Sequence, residues 1–284
     1  VHPVKIIECP RDAMQGLKHV ITTDKKVQYL KQLLQCGFDT LDCGSFVNPA
    51  AVPQMADTAE VLELLGRDFK NTKLLVIVAN ERGAVRAASF PQVSYLGFPF
   101  SLNETFQRRN TNSGKDDAFI KLLKINEIAK AAGKKTVAYI SMAFGNPYEE
   151  PYNRNEVLEW ALKMAAEGIE IISLADTVGN AAETDIDYLF KLLGKEIPHV
   201  ELGAHFHAKP HEWLAKIKPA WNSGCRRFDG AMLGFGGCPF AKDDLTGNIP
   251  TEHLVQWLNT VTETGIDQAA LAVAQNLASI TYSH

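Results

Sequence analysis

Eight apolar runs of strand length alternate with helix-patterned stretches along this chain, and few architectures accept that rhythm. The runs fall at 4–9, 38–42, 73–78, 93–98, 136–140, 169–174, 199–206 and 227–229. Between the first two, Val27, Leu30, Leu33 and Leu34 stand at helical spacing behind a capping Asp24 and ahead of Gly37. Further helices are expected at 58–65, 84–88, 116–132, 155–167, 182–193 and 213–222, with 251–262 and 267–280 after the last run. Gly133, Gly168 and Gly224 supply stops. Strand and helix in strict turn over 284 residues predict an α/β fold, a parallel (β/α)8 TIM barrel with an additional C-terminal helix. A doubly wound open sheet would want a Gly-x-Gly-x-x-Gly turn after the first strand, and the chain has none there. With no Gly/Pro/Ser linker in view, residues 1–284 are expected to form a single catalytic barrel domain.

Composition narrows the function classes. A net charge of −4 leaves no basic footprint for nucleic acid. No apolar run nears the roughly 18 residues of a membrane span. Val1-His-Pro-Val-Lys5 does not read as a signal or transit peptide, so a cytoplasmic protein is expected, with room for an organellar leader removed upstream. The five cysteines are odd in number, widely spread and never in Cys-x-x-Cys spacing, which argues for a reducing compartment and against a structural zinc site. Cys9, Cys36, Cys43 and Cys225 read as small buried hydrophobes, whereas Cys238 sits among glycines.

In a barrel the chemistry belongs to the loops at the C-terminal strand ends. The seventh run ends Glu201-Leu-Gly-Ala-His-Phe-His207, and strand alternation sends His205 and His207 to one face with Phe206 opposite. Such a pair is half of a metal site, or equally two histidines satisfied by hydrogen bonds. The same rim collects Arg11, Asp12 and Gln15, then Asp42 and Ser45, then Asn80, then Ser101, Asn103 and Glu104. Ser141 and Asn146, Asp176 and Thr177, and a loop running from Gly234 to Asn248 complete it. On a strand end Arg11 and Asp12 would face opposite ways, so a pair between them is not expected.

The ordered set of motifs resembles the 3-hydroxy-3-methylglutaryl-CoA lyase family, within the metal-dependent lyase and aldolase TIM barrels. Pro10-Arg-Asp-x-x-Gln15 looks like its first-strand motif, and Ser45-Phe-Val-Asn-Pro49 with Val52-Pro-Gln-Met-Ala-Asp57 like its second loop. Phe144-Gly-Asn-Pro-Tyr148 and Ser173-Leu-Ala-Asp-Thr-Val-Gly179 are similar to the fifth and sixth loops. His205-Phe-His207 matches the metal pair, and Gly236-Gly-Cys-Pro-Phe-Ala241 with Gly247-Asn248 matches the catalytic loop. The resemblance covers nearly the whole barrel.

It implies a retro-Claisen cleavage of a 3-hydroxyacyl-CoA, hydroxymethylglutaryl-CoA in the family, to acetyl-CoA and acetoacetate, as in leucine degradation. It implies Mg²⁺ or Mn²⁺ held by Asp12, His205, His207 and Asn248, a donor set that suits an octahedral ion. The implied catalytic residues are Arg11 at the thioester oxygen, Asp12, Asp42 holding Arg11, His205, and Cys238 as the acid that protonates the enolate carbon. For the base at the hydroxyl, Asp12 and a water at the ion stay open. Gln15, Lys18, Ser45, Asp176 and Thr177 are the implied substrate-binding residues, Lys18 near the CoA phosphates. An acyl-CoA substrate and a homodimer are implied partners. The chain departs from the family pattern in four places. Asp12-Ala-Met-Gln-Gly-Leu17 replaces Asp-Gly-Leu-Gln-Asn-Glu, and Ala208-Lys-Pro-His-Glu212 replaces an Asp-Thr-x-Gly turn. The stretch from Cys238 to Asn248 is also one residue longer. Asp42 stands where the family usually has Glu. The acyl group cleaved therefore need not be hydroxymethylglutaryl. Two alternatives stand beside this: an aldolase or Claisen-type condensing enzyme on a 2-keto acid, and a non-catalytic barrel binding an acyl-CoA or a partner.

Overall fold

A computed structural model describes residues 3–67, 69, 71–237 and 246–283. Eight parallel strands form the wall: β1 (Lys5–Glu8), β2 (Thr40–Ser45), β3 (Lys73–Ile77), β4 (Val93–Ser101), β5 (Lys135–Ser141), β6 (Ile171–Asp176), β7 (Glu201–Ala208) and β8 (Arg227–Gly230). Each pairs with its sequence neighbour, and β8 pairs with β1, which closes the sheet into a barrel. Helices α1 (Pro10–Gln15), α2 (Thr23–Leu33), α3 (Thr58–Leu65), α4 (Glu81–Ala88), α5 (Glu104–Thr111) and α6 (Lys115–Ala131) accompany the first half. Then come α7 (Arg154–Ala166), α8 (Glu183–Glu196), α9 (Trp213–Asn222), α10 (Thr251–Leu258) and the C-terminal α11 (Gln268–Tyr282). A two-residue strand, β9 (Gly247–Asn248), runs antiparallel to β7, setting His207 opposite Asn248 and Ala208 opposite Gly247.

Register decides which side chains enter the barrel. Residues paired across parallel strands point to the same side. The pairings Ser173↔Gly203, Gly203↔Arg227, Asp229↔Ile7 and Asp42↔Leu75 therefore put all of these on one face. It is the inner face. Leu75, Ile77, Tyr95, Val137, Tyr139 and Ile171 form an apolar plug there, separate from the larger cluster between wall and helices. His205 shares the inward parity of Gly203, and Glu8, next to Ile7, takes the outward one.

The N-terminal mouth is tied by charge: Glu201 accepts from Lys5 and Arg227, and Asp39 from Lys73. These are structural contacts, and Arg11, Asp12, Asp42, His205, His207 and Asn248 lie toward the other mouth.

Several expectations about element bounds are corrected. The first strand stops at Glu8, because Pro10 at a helix start suits the fixed φ and missing N–H of proline. Arg11 and Asp12 therefore ride on a helical turn and not on a strand end. The seventh strand begins at Glu201 and not at 199, and α10 ends at Leu258. Neither α5 nor β9 was expected. Asn80 and Asn103, read as rim residues, serve as helix caps, accepting from the N–H of Gly83 and of Phe106.

Candidate metal and active site

Four elements deliver the site. The short helix α1 presents Arg11, Asp12 and Gln15 over the barrel mouth, β7 brings His205 and His207, β8 brings Asp229, and β9 lays Asn248 beside His207. Ligand atoms of Asp12, His205 and His207 lie within 4.8 Å of one another. One Asp12 oxygen, Oδ2, is 2.7 Å from Asn248 Nδ2 and 3.8 Å from His207 Nε2. Its Oδ1 accepts from Arg11 Nη1 at 3.1 Å and Gln15 Nε2 at 3.0 Å. The pair between Arg11 and Asp12 corrects the sequence expectation: consecutive residues on a helix diverge by about 100°, not 180°.

Each imidazole is held by one nitrogen. His207 Nδ1 donates to the carbonyl of Thr177 at 2.8 Å, which fixes its tautomer and leaves Nε2 as a lone pair. That Nε2 is buried and has no hydrogen-bond partner among the described residues. A buried acceptor left unpaired costs free energy, and a cation removes that cost. His205 Nδ1 lies 3.0 Å from Asp229 Oδ2, a carboxylate–histidine pair of the kind that orients metal-binding imidazoles. Burial pulls His205 down, but the Asp229 carboxylate outweighs it and the net shift is upward.

Arg11 is clamped. Nε and Nη2 reach the two Asp42 oxygens, the shortest contact being 2.6 Å, while Nη1 also donates to Gln15 Oε1 at 2.9 Å. Asp42 reaches the Arg11 guanidinium although it is a methylene shorter than Glu. Burial alone would raise Asp12, yet the adjacent Arg11 guanidinium holds it well below the usual carboxylate range. In Asp42 burial prevails over Arg11 and pushes the carboxyl up to about 6.

The remaining sequence candidates sit differently. Ser45 is buried at the end of β2, its hydroxyl accepting from Val47 N–H at 3.3 Å. Asp176 is buried, paired with Lys216 and accepting from the N–H groups of Asn180 and Ala181. The Thr177 hydroxyl accepts from Met142 N–H at 2.8 Å. Asp176 and Thr177 thus build the loop that positions His207, with their polar atoms turned into the protein. Lys18 is exposed beyond α1. Cys238 lies outside the described residues.

Sequence reasoning passed over Asp229, at the end of the eighth strand with inward parity. It also passed over Tyr139, whose ring meets His205 edge-on at 5.6 Å and whose buried hydroxyl has no partner among the described residues. Alternation along 135–141 and 227–230, counted outward from the mouth, is the signal that finds both.

Known proteins agree with this geometry. The HMGL-like family profile matches residues 4–278. The cytoplasmic 3-hydroxy-3-methylglutaryl-CoA lyase of Rattus norvegicus is 33% identical over 268 residues, 93% of this chain and 77% of that one. A solved hydroxymethylglutaryl-CoA lyase from Pseudomonas aeruginosa superposes with a TM-score of 0.92 at 30% identity, covering 99% of this chain and 94% of that one. An HMG-CoA lyase from Acinetobacter baumannii, solved with coenzyme A and 3-methylmalate, gives 0.91 at 30%, covering 99% and 92%. Barrel, rim and sequence lead to one conclusion: this chain belongs to the HMGL-like family of carbon–carbon lyases.

Proposed function

We propose that the protein cleaves 3-hydroxy-3-methylglutaryl-CoA, or a closely related 3-hydroxyacyl-CoA, to acetyl-CoA and a 3-keto acid, which is acetoacetate for the former. The observation that carries this reading is the convergence of Asp12, His205, His207 and Asn248 around the unpaired Nε2 of His207.

Those four residues would hold Mg²⁺ or Mn²⁺; oxygen and imidazole donors together suit such an ion. Once bound, it would act as a Lewis acid on the C3 hydroxyl and the distal carboxylate of the acyl group, lowering the hydroxyl pKa. The chain does the rest. Asp12, kept ionised by Arg11, or a water held beside it takes the hydroxyl proton. As the C3 ketone forms, the C2–C3 bonding pair moves into the enolate of the acetyl thioester. Arg11 has five N–H donors, and four are committed to Asp42, Asp12 and Gln15. The remaining Nη2–H has no partner among the described residues and would serve the thioester oxygen, where charge grows as the bond breaks. Asp42 and Gln15 hold the guanidinium plane fixed through that change. The Cys238 thiol then gives its proton to the enolate carbon, completing acetyl-CoA. The protein works as a homodimer in a reducing, cytoplasmic setting; Cys9, Cys36, Cys43 and Cys225 are buried free thiols.

The test is acetoacetate release from the hydroxymethylglutaryl thioester, with and without Mg²⁺ or Mn²⁺, in the wild type, Cys238→Ala and His205→Ala. Turnover should need the cation and fall at least about a hundredfold in each variant. Turnover indifferent to the ion and to both substitutions would remove the proposal, as would binding of the thioester without cleavage.

A further inference from the structure

We propose that Glu8 is a positioning residue for this site: from the outer face of β1 it fastens both flanks of the 238–245 stretch, and so sets Asn248 against Asp12. The inference rests on the proposed metal site and extends it to a side chain that touches neither ion nor substrate.

Glu8 is fully buried between the wall and the helices, where its neighbour in parity, Ile6, is ordinary core. A carboxyl in that layer is costly unless its oxygens are satisfied. Both are. Oε1 accepts the N–H of Met232 at 2.9 Å, from a residue 224 positions away, and Oε2 bonds the hydroxyl of Thr251, 243 positions away. One side chain therefore grips the residue that leads into the Gly234–Gly237 run and the residue that opens α10.

Backbone bonds complete the frame. Ala231 N–H donates to Ile249 at 3.0 Å and Thr251 N–H to Ala231 at 3.2 Å, while Glu252 accepts Leu233 N–H at 3.0 Å. Asn248 hangs from this frame three residues before Thr251. Its Nδ2 donates to Asp12 Oδ2 and, at 2.9 Å, to the carbonyl of Phe235. Remove the Glu8 carboxyl, and Met232 N–H and the Thr251 hydroxyl are left without a partner in a dry layer, so the two flanks must shift. Asp12 comes from β1 by way of α1 and does not shift with them. The distance between Asp12 and Asn248 is therefore the quantity that Glu8 controls.

Glutamine meets the same demands as a protonated Glu8: its Oε1 accepts from Met232 and its Nε2 donates to Thr251. Burial pushes the Glu8 carboxyl up to about 8, so the uncharged form is the one to imitate at neutral pH.

The experiment is an Mn²⁺ titration of the purified full chain at neutral pH, read by the loss of the free-ion EPR signal, with circular dichroism as the check on folding. Glu8→Ala should bind Mn²⁺ about tenfold more weakly, the low end of the range for residues that support metal ligands. Thr251→Val should weaken binding in the same direction, and Glu8→Gln should stay close to wild type. A folded Glu8→Ala with wild-type affinity overturns the inference, and so does Glu8→Gln binding as weakly as Glu8→Ala. If Glu8→Ala does not fold, Thr251→Val decides, and wild-type affinity there overturns it. Failure of the wild type to bind Mn²⁺ would instead overturn the metal site itself.

Discussion

His205 keeps its ring in place through the hydrogen bond between Nδ1 and Asp229, and the Asp229 carboxylate is itself buried in the barrel wall. Asp229→Ala should leave the barrel folded and weaken Mn²⁺ binding by about 10- to 100-fold, as loss of a carboxylate behind a metal-binding imidazole does. Titration of the ion against the variant measures it, and unchanged affinity would mean that His205 needs no such support. Arg11 and Asp12 stood out in the sequence through motif order, and His205 and His207 through motif order and strand alternation together. Asp229 was not. A carboxylate near the end of a four-residue strand has no spacing of its own, and its meaning comes from a histidine on the neighbouring strand. Tyr139 was hidden for the opposite reason, since a tyrosine inside an apolar run reads as core.

The short helix α1 turns Arg11 and Asp12 into a pair, and it was invisible to a reading that ended the first strand at the proline. Pro10 carries two meanings, strand terminator and first helical residue, and periodicity over six residues cannot separate them. The longer helices were legible because their apolar stripes and terminal glycines coincide; Gly133 and Gly168 do adopt the left-handed φ that ends α6 and α7. Gly236 is more demanding. Its φ is +88°, and a Cβ there would lie 2.7 Å from Asn248 Nδ2, 2.8 Å from the Asp12 carbonyl oxygen and 2.9 Å from Ala13 Cα. Gly236→Ala should therefore push α1 and β9 apart. The expected outcome is loss of turnover together with about 1–3 kcal/mol of stability, read by steady-state kinetics and urea unfolding. A variant with wild-type kinetics would show that these elements need no such close approach.

At the scale of the molecule the barrel was plain from its eightfold alternation, because each wall strand is its own apolar run. What the sequence did not carry was the pairing of distant segments: β9 on β7, and Glu8 on both flanks of the last loop. Glu8 also ties stability to pH. Burial raises its carboxyl from an ordinary value to about 8, and Tyr29, Tyr282, Cys36 and Glu252 face it. Between about pH 4.5 and pH 8 the folded chain keeps a proton there that the unfolded chain has released. Stability contributed by this group is thus full at low pH and falls as pH rises, by at most about 1.4 kcal/mol per pH unit. Glu8→Gln removes that proton exchange. Its unfolding free energy relative to wild type should climb from pH 5 to pH 8, and parallel curves in denaturant titrations at each pH would contradict it. The ladder between β7 and β9 has a separate outcome for descent with change. Sliding it by a single position would swing the Asn248 amide to the opposite side of the ribbon, so the alignment itself is under constraint. A change of length within 238–245, upstream of that anchor, leaves the pairing itself as it is, so on the proposed reading it would act on the delivery of a proton by Cys238 and not on the ligands of the ion.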